Sequence, residues 1–95
     1  MHYLYILYSD TTDRYYIGET HDVAERLFRH NNHTYKNSFT KIASDWQVAL
    51  SRQCQNRQQA ILLEKFIKAM KSKVFVSKII ADPSIIDDIV MRKKF

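Results

Sequence analysis

The chain has 95 residues and a single cysteine; the length suits one domain spanning residues 1–95, and the lone cysteine excludes a disulfide framework or a cysteine-based zinc site. No apolar run of membrane-spanning length and no secretory leader is recognisable, so we expect a protein of the reducing cytoplasm without a membrane partner. Fifteen Lys and Arg against ten Asp and Glu give a net charge of +5, which favours a polyanionic partner, although a solvated basic surface explains the charge equally well.

The first eighteen residues contain five of the six tyrosines. Residues 2–8 alternate in the period of a β-strand, which places Tyr5 on one face. Turn-forming residues follow, and then the stretch "YYIG", so the sequence predicts an antiparallel hairpin whose register could bring Tyr5 and Tyr16 to the same face. Phenylalanine would fill the same space without needing a hydroxyl partner, which suggests that the hydroxyls matter.

A first helix is predicted over residues 22–32, because Asp22 and Glu25 have capping-box spacing. Arg26 and His30, four residues apart, are predicted to share the face opposite the apolar one. The apolar stripe consists of Val23, Leu27 and Phe28.

Residues 33–45 have no clear period and read as a polar, basic loop. The stretch "WQVALSRQ" alternates again and predicts a third strand. In this strand Trp46, Val48 and Leu50 are predicted to lie on one face.

Asn56 and Gln59 repeat the capping-box spacing and predict a second helix that ends near Ser72. Its predicted buried stripe is Ala60, Leu63, Ile67 and Met70. A third helix is predicted over residues 73–81 and a fourth after Asp82, with Pro83 at its first position. The predicted fold class is therefore α+β, with a small three-stranded antiparallel sheet flanked by helices and an extra C-terminal helix.

The stretches "YLYILYS", "DRYYIGETHDVAERLFRHN", "VALSRQ" and "QAILLEKFIKAMKSK" follow one another in the order and spacing of the GIY-YIG nuclease family. The chain looks most like the short, stand-alone bacterial members, and the similarity extends over about the first eighty residues. It departs from the usual pattern at Tyr3, which stands where relatives have glycine.

The resemblance implies an endonuclease that uses Mg²⁺ or Mn²⁺ to hydrolyse phosphodiester bonds in DNA, with structure-selective cleavage as one form of that activity. Tyr5 closes the first family motif, and Tyr16 opens "YIG" in the second. Arg26 matches the family's helix arginine, and His30 matches a polar position one turn later. Glu64 matches the family's single acidic metal ligand.

The residue types suit this chemistry, which needs an activated water and positive charge beside the phosphate. Glu64 offers a hard oxygen ligand, and Arg26 can hold a phosphate bidentately. A free phenol has a pKa near 10 and needs a nearby cation to act as a base, for which Tyr5 is the first candidate and Tyr16 the second. His30 could orient a tyrosine hydroxyl, accept its proton or contact phosphate.

Other interpretations remain open from sequence alone. Glu64 could form a surface ion pair with Lys68, and Arg26 could pair with Glu19 or Asp22. The whole chain could be a non-catalytic nucleic-acid-binding module of the same fold, or a small interaction protein that docks through its C-terminal helices. Because the basic residues concentrate in 33–41 and 68–78, we expect recognition of shape and backbone over bases.

Overall fold

The computed structural model describes residues 1–32 and 39–95, so most of the predicted basic loop, residues 33–38, lies outside the described residues. Within the described ranges, no helix is long and apolar enough to cross a membrane. The elements in chain order are β1 (His2–Ser9), β2 (Arg14–Thr20), α1 (Val23–Asn31), a 3₁₀ turn (Phe39–Ile42), β3 (Trp46–Cys54), α2 (Arg57–Met70), α3 (Lys73–Ala81) and α4 (Ser84–Lys93).

The three strands form one antiparallel sheet in the order β2-β1-β3, which leaves β2 as an edge strand. In the β1–β2 hairpin, Tyr5 lies opposite Gly18 and Leu7 lies opposite Tyr16. Directly opposed residues share a face, as do residues two apart along a strand, so Tyr5 and Tyr16 point to the same side. The predicted hairpin and its shared tyrosine face are confirmed.

Helices cover both faces of the sheet, which confirms the predicted α+β class. On one face, Leu4 and Ile6 pack against the three C-terminal helices, in a core that also contains Leu63, Ile79 and Ile86. The opposite face is covered by α1, and its core consists of Tyr5, Leu7, Ala43 and Trp46, with Tyr16, Val23 and Leu27 packed against it. Because β1 is buried on both faces, it is apolar or aromatic at nearly every position.

Strand β3 departs from the predicted alternation. Ile6 pairs with Leu50 but Leu7 pairs with Val48, so β3 has one extra residue, a β-bulge, at this point. A bulge reverses the facing of the residues that follow it. Trp46 therefore belongs to the α1-side core and Leu50 to the opposite one, and the prediction of one shared face was wrong.

The predicted helix starts are confirmed for α1 and α2. The Asp22 carboxylate accepts a hydrogen bond from the Glu25 backbone N–H at 3.0 Å, and the Asn56 side chain accepts one from Gln59 N–H at 2.8 Å. Such caps satisfy backbone donors that the first turn leaves open.

Helix α4 begins one residue later than predicted, at Ser84, so Pro83 precedes the helix. The Asp82 carboxylate nevertheless accepts from Ser84 N–H at 3.2 Å.

Two apolar side chains assigned to buried stripes are exposed. Phe28 is 66% exposed, because the buried side of α1 runs through Val23, Leu27 and His30 and Phe28 lies beside it. Met70 is the last residue of α2, just before the left-handed Lys71, and its side chain reaches solvent.

Candidate active site

A buried hydrogen-bonded chain of three side chains lies between the sheet and α1. The Tyr5 hydroxyl is 3.1 Å from His30 Nε2, and His30 Nδ1 is 2.7 Å from Thr40 Oγ1. All three side chains are at most 2% exposed, and Tyr5 has no exposed surface. Strand β1, the end of α1 and the 3₁₀ turn each contribute one member.

The burial of His30 corrects the prediction that it shares a polar face of α1 with Arg26. His30 follows Val23 by seven residues, which is close to two helical turns, so both side chains face the sheet. The 3₁₀ turn also corrects the prediction of an aperiodic loop over residues 39–42. Thr40 and Ala43 are buried there because they cover the α1 face of the sheet.

His30 is uncharged near neutral pH in this environment. Burial, followed by the charge of Arg26, lowers the pKa of His30 to about 4. A neutral imidazole has one N–H donor and one nitrogen acceptor, which matches two hydroxyl partners that can each donate or accept. Arg26, one helical turn before His30, is close enough for its positive charge to disfavour protonation of the imidazole.

Tyr16 completes an aromatic cluster with Tyr5 and His30. Its ring centroid lies 4.7 Å from that of His30 and 6.2 Å from that of Tyr5. Unlike Tyr5, Tyr16 is partly exposed, because it sits on the edge strand. The aromatic cluster therefore has a buried end at Tyr5 and an accessible end at Tyr16.

Gly18 provides the space that Tyr5 occupies. A Cβ at position 18 would lie 2.6 Å from the Tyr5 hydroxyl oxygen and 2.7 Å from Cζ. Gly18 has no positive φ, so turn geometry does not demand glycine here. The first and second family motifs are thus physically interlocked, since the glycine of one makes room for the tyrosine of the other.

Glu64 approaches from α2, which packs on the other face of the sheet. Its carboxylate accepts from Lys68 Nζ at 2.7 Å, and the same ammonium lies 5.4 Å from the centroid of the Tyr16 ring. Lys68 therefore reaches around the β2 edge and connects Glu64 to the aromatic cluster. The structure contains the Glu64–Lys68 ion pair that the sequence offered as an alternative.

The donors present suit a divalent ion that is shared with substrate. Among the residues that the structure describes, no group of three or more His, Cys, Asp or Glu side chains could form a complete cage. Glu64 is 22% exposed, and the ion pair with Lys68 engages only its Oε2. A hard carboxylate with an open oxygen fits Mg²⁺, which usually keeps several waters and binds one or two carboxylates plus substrate phosphate.

The alternative partners suggested for Arg26 make other contacts. Glu19 lies 3.2 Å from His2 Nδ1 and 3.7 Å from Arg57 Nε, while Asp22 caps α1.

Two residues of the site were not found from the sequence. Thr40 lies in an aperiodic stretch that gave no signal. Lys68 was noticed for its spacing from Glu64 and as part of the basic region 68–78, but not as a residue of the site.

Comparison with known families gives a match to the GIY-YIG catalytic domain over residues 1–78. The matched range includes every residue of the aromatic cluster, Arg26, Glu64 and Lys68. No curated protein and no solved structure matches the chain.

Proposed function

The chain belongs to the GIY-YIG catalytic domain family, and from that premise we propose that it is a divalent-metal-dependent endonuclease that hydrolyses phosphodiester bonds in DNA. The observation that carries the proposal is the meeting of the aromatic cluster with the Glu64–Lys68 pair at the exposed edge of β2. A phenol, an ammonium and a carboxylate then lie within one small region, beside a surface that a polyanion can approach.

Tyr16 is the phenol that substrate can reach, because Tyr5 is completely buried and Tyr16 is not. This difference favours the second choice made from the sequence. We assign to Tyr16 the positioning and deprotonation of the attacking water. Tyr5 then has an indirect role: its hydrogen bond to His30 helps to orient the imidazole ring.

His30 contributes orientation and no positive charge, since its pKa of about 4 leaves it neutral at pH 7. In the tautomer in which Nδ1–H donates a hydrogen bond to Thr40 Oγ1, Nε2 accepts a hydrogen bond from the Tyr5 hydroxyl. These two bonds fix the imidazole ring against which Tyr16 packs. A locked second layer of this kind holds a reacting group in productive geometry.

Arg26 and Lys68 supply the positive charge for the phosphate oxygens. A guanidinium can hold phosphate bidentately, whereas an ammonium acts as a point charge. Glu64 would hold the metal ion through its carboxylate once Lys68 turns towards the phosphate. A bound Mg²⁺ or Mn²⁺ supplies Lewis-acid stabilisation of the developing phosphorane charge.

A matched pair of carboxylate variants tests the proposal. Glu64→Gln should abolish metal-dependent cleavage of labelled flaps, junctions, duplexes and single strands, because an uncharged amide is a poor ligand for Mg²⁺. Glu25→Gln is the control, since Glu25 also forms a helical ion pair four residues from its partner, Arg29. It should cleave at the parental rate.

Retained cleavage in Glu64→Gln would contradict the metal assignment. If the parent protein bound DNA but cut none of the substrates in Mg²⁺ or Mn²⁺, the chain would be the non-catalytic binding module instead. An RNA version of each substrate shows whether the activity is confined to DNA.

The roles of the two phenols are separated by Tyr16→Phe and Tyr5→Phe. Loss of a catalytic base typically slows the chemical step by about 10² to 10⁴. We expect that loss for Tyr16→Phe and a smaller one for Tyr5→Phe, measured in single-turnover cleavage. The reverse order would return the base to Tyr5.

A further inference from the structure

A basic groove continues from the candidate site along the β2 edge. It has a volume of about 690 Å³ and lies between β2 and the junction of α2 with α3. Tyr16 and Lys68, at one end, also belong to the site described above. The hairpin contributes Asp13 and Arg14 to the groove, and the helix junction contributes Lys71 and Lys73.

The charges that line the groove are strongly unbalanced. Four of its lining residues are Lys or Arg, and Asp13 is the one acid among them. Asp13 is already engaged, because it pairs with Lys73 and accepts a hydrogen bond from the Tyr8 hydroxyl at 2.7 Å. The Lys73 ammonium, and after it the Tyr8 hydroxyl, holds the pKa of Asp13 below its usual value. The negative charge of Asp13 is therefore already paired with Lys73.

Two cations in the groove are available to a ligand. Within residues 1–32 and 39–95, neither Arg14 nor Lys71 has an ion-pair partner. Both side chains are exposed. Lys71 is fixed where α2 ends, in a left-handed conformation with φ of 47°, and Arg14 begins β2. They belong to two different parts of the chain, both of which line the groove.

We propose that this groove holds the nucleic-acid backbone on one side of the scissile phosphate, with Arg14 and Lys71 each contacting a phosphate. The proposal rests on the proposed function, because the groove begins at Tyr16 and Lys68. Concave shape, excess positive charge and continuity with the site together favour a phosphodiester strand. Phosphate contacts of this kind position a substrate and do not read its sequence.

The test compares two double variants that remove the same charge. Arg14→Gln with Lys71→Asn removes the two groove cations that have no ion-pair partner among the described residues. Asn is tolerated in the left-handed conformation of Lys71. Arg92→Gln with Lys94→Asn is the control, since Lys94 is also a left-handed C-cap, with φ of 56°. Arg92 and Lys94 lie at the end of the chain and do not line the groove.

Binding of a labelled DNA oligonucleotide is measured by fluorescence anisotropy in chelator over a range of salt. Each lost phosphate contact should reduce the slope of log affinity against log salt by about 1, so the groove variant should lose about 2. The control should retain the parental slope. Thermal melting of both variants checks that each is folded.

An equal loss in both variants, or no loss in either, would overturn the proposal. So would a groove-dependent affinity for polyglutamate as high as that for DNA, because the groove would then be a general polyanion surface. Since binding is measured without metal, the result is independent of cleavage. If the parent protein cuts DNA and the groove variant binds DNA as tightly as the parent, only the groove proposal is refuted. If binding depends on the groove but the parent protein cuts no DNA, only the proposed nuclease activity is refuted.

Discussion

At the scale of single residues, the contact between Gly18 and Tyr5 explains why a glycine ends the "YIG" stretch. The hydroxyl and ring of a fully buried tyrosine occupy the place where any larger residue would put its Cβ. Tyr5 cannot retreat easily, because its hydroxyl is hydrogen-bonded to His30 on the far side. Only the register of the β1–β2 hairpin, which places Tyr5 opposite Gly18, identifies this contact.

Gly18→Ala should therefore destabilise the protein, by the roughly 1 to 3 kcal/mol typical of an overpacked core. Urea denaturation measures this loss. The control is the same substitution in a Tyr5→Leu background, where the methyl group meets less crowding and should cost less. Equal costs in the two backgrounds would show that Tyr5 is not the obstacle.

His30 makes stability depend on pH in a defined direction. Its pKa is about 4 in the folded protein and near 6.5 when unfolded, so between these values the unfolded chain binds the additional proton. Stability must then fall as the pH is lowered from about 6.5 to 4. We expect His30→Gln to be less stable at pH 7 but to lose less stability on acidification.

Chemical denaturation of both proteins at several pH values gives the comparison. Carboxylates titrate in both chains, so the difference between the two curves isolates His30. Parallel curves would contradict the assigned environment.

The sequence identified the residue types of the site but not which of them are buried and which are exposed. Tyr5, Tyr16, Arg26, His30 and Glu64 were all selected from motif position. Which of them is buried depends on contacts between distant segments, such as His30 with Thr40. Such contacts have no local pattern, which is why His30 was predicted on the wrong face.

At the scale of elements, the sequence was sufficient to predict a helix where a capping residue and a helical repeat of apolar residues mark it. Helix α3 runs over the residues predicted, because Ser72 caps it and its apolar residues recur. The bulge in β3 has no such signal. Its position follows from the need to place Trp46 and Leu50 in different cores, and that need arises only once both faces of the sheet are covered.

Asn31 joins two of these elements. Its side-chain amide donates to the Trp46 carbonyl at 3.0 Å, and its carbonyl oxygen accepts from Trp46 N–H at 2.7 Å. The end of α1, which carries His30, is thereby tied to the start of β3. The Asn31 side chain thus bonds both backbone groups of Trp46, as the backbone of a neighbouring strand would.

Asn31→Ala should cost about 1 to 3 kcal/mol, because it leaves two partly buried backbone groups of Trp46 without their partner. Asn32→Ala is a neighbouring control, because Asn32 is exposed. Within residues 1–32 and 39–95 its side chain donates to one group, the Phe28 carbonyl, at 2.7 Å. Thermal or urea unfolding of both variants gives the comparison. A smaller loss in Asn31→Ala than in Asn32→Ala would show that the link between α1 and β3 is not significant.

At the scale of the whole molecule, the family match and the hydrophobic core have different extents. The match ends at residue 78, whereas α4, which begins at Ser84, contributes Ile86 and Ile89 to the larger core. The side chain of Gln59 in α2 also donates to the Phe95 carbonyl at 3.2 Å. The apolar residues that suggested a docking surface in the C-terminal helices are largely used within the chain itself.

Two substitutions on α4 measure this contribution. Ile86 has no exposed surface, and Met91 on the same helix is 77% exposed. Ile86→Ala should cost about 2 to 5 kcal/mol, the usual range for removing a buried isoleucine side chain and leaving a cavity. Met91→Ala should stay within about 0.5 kcal/mol of the parent, since it removes only a surface contact.

The same two variants show whether α4 serves the hydrophobic core or a surface that docks a partner. At a temperature where Ile86→Ala remains folded, its cleavage rate should match the parental rate, because α4 contributes to the core behind α2 and supplies no side chain to the candidate site. Urea denaturation gives the stability difference, and single-turnover cleavage gives the rate. If Met91→Ala destabilised the chain as much as Ile86→Ala, α4 would not be seated through Ile86, and the C-terminal helices would again have to be considered as a docking surface.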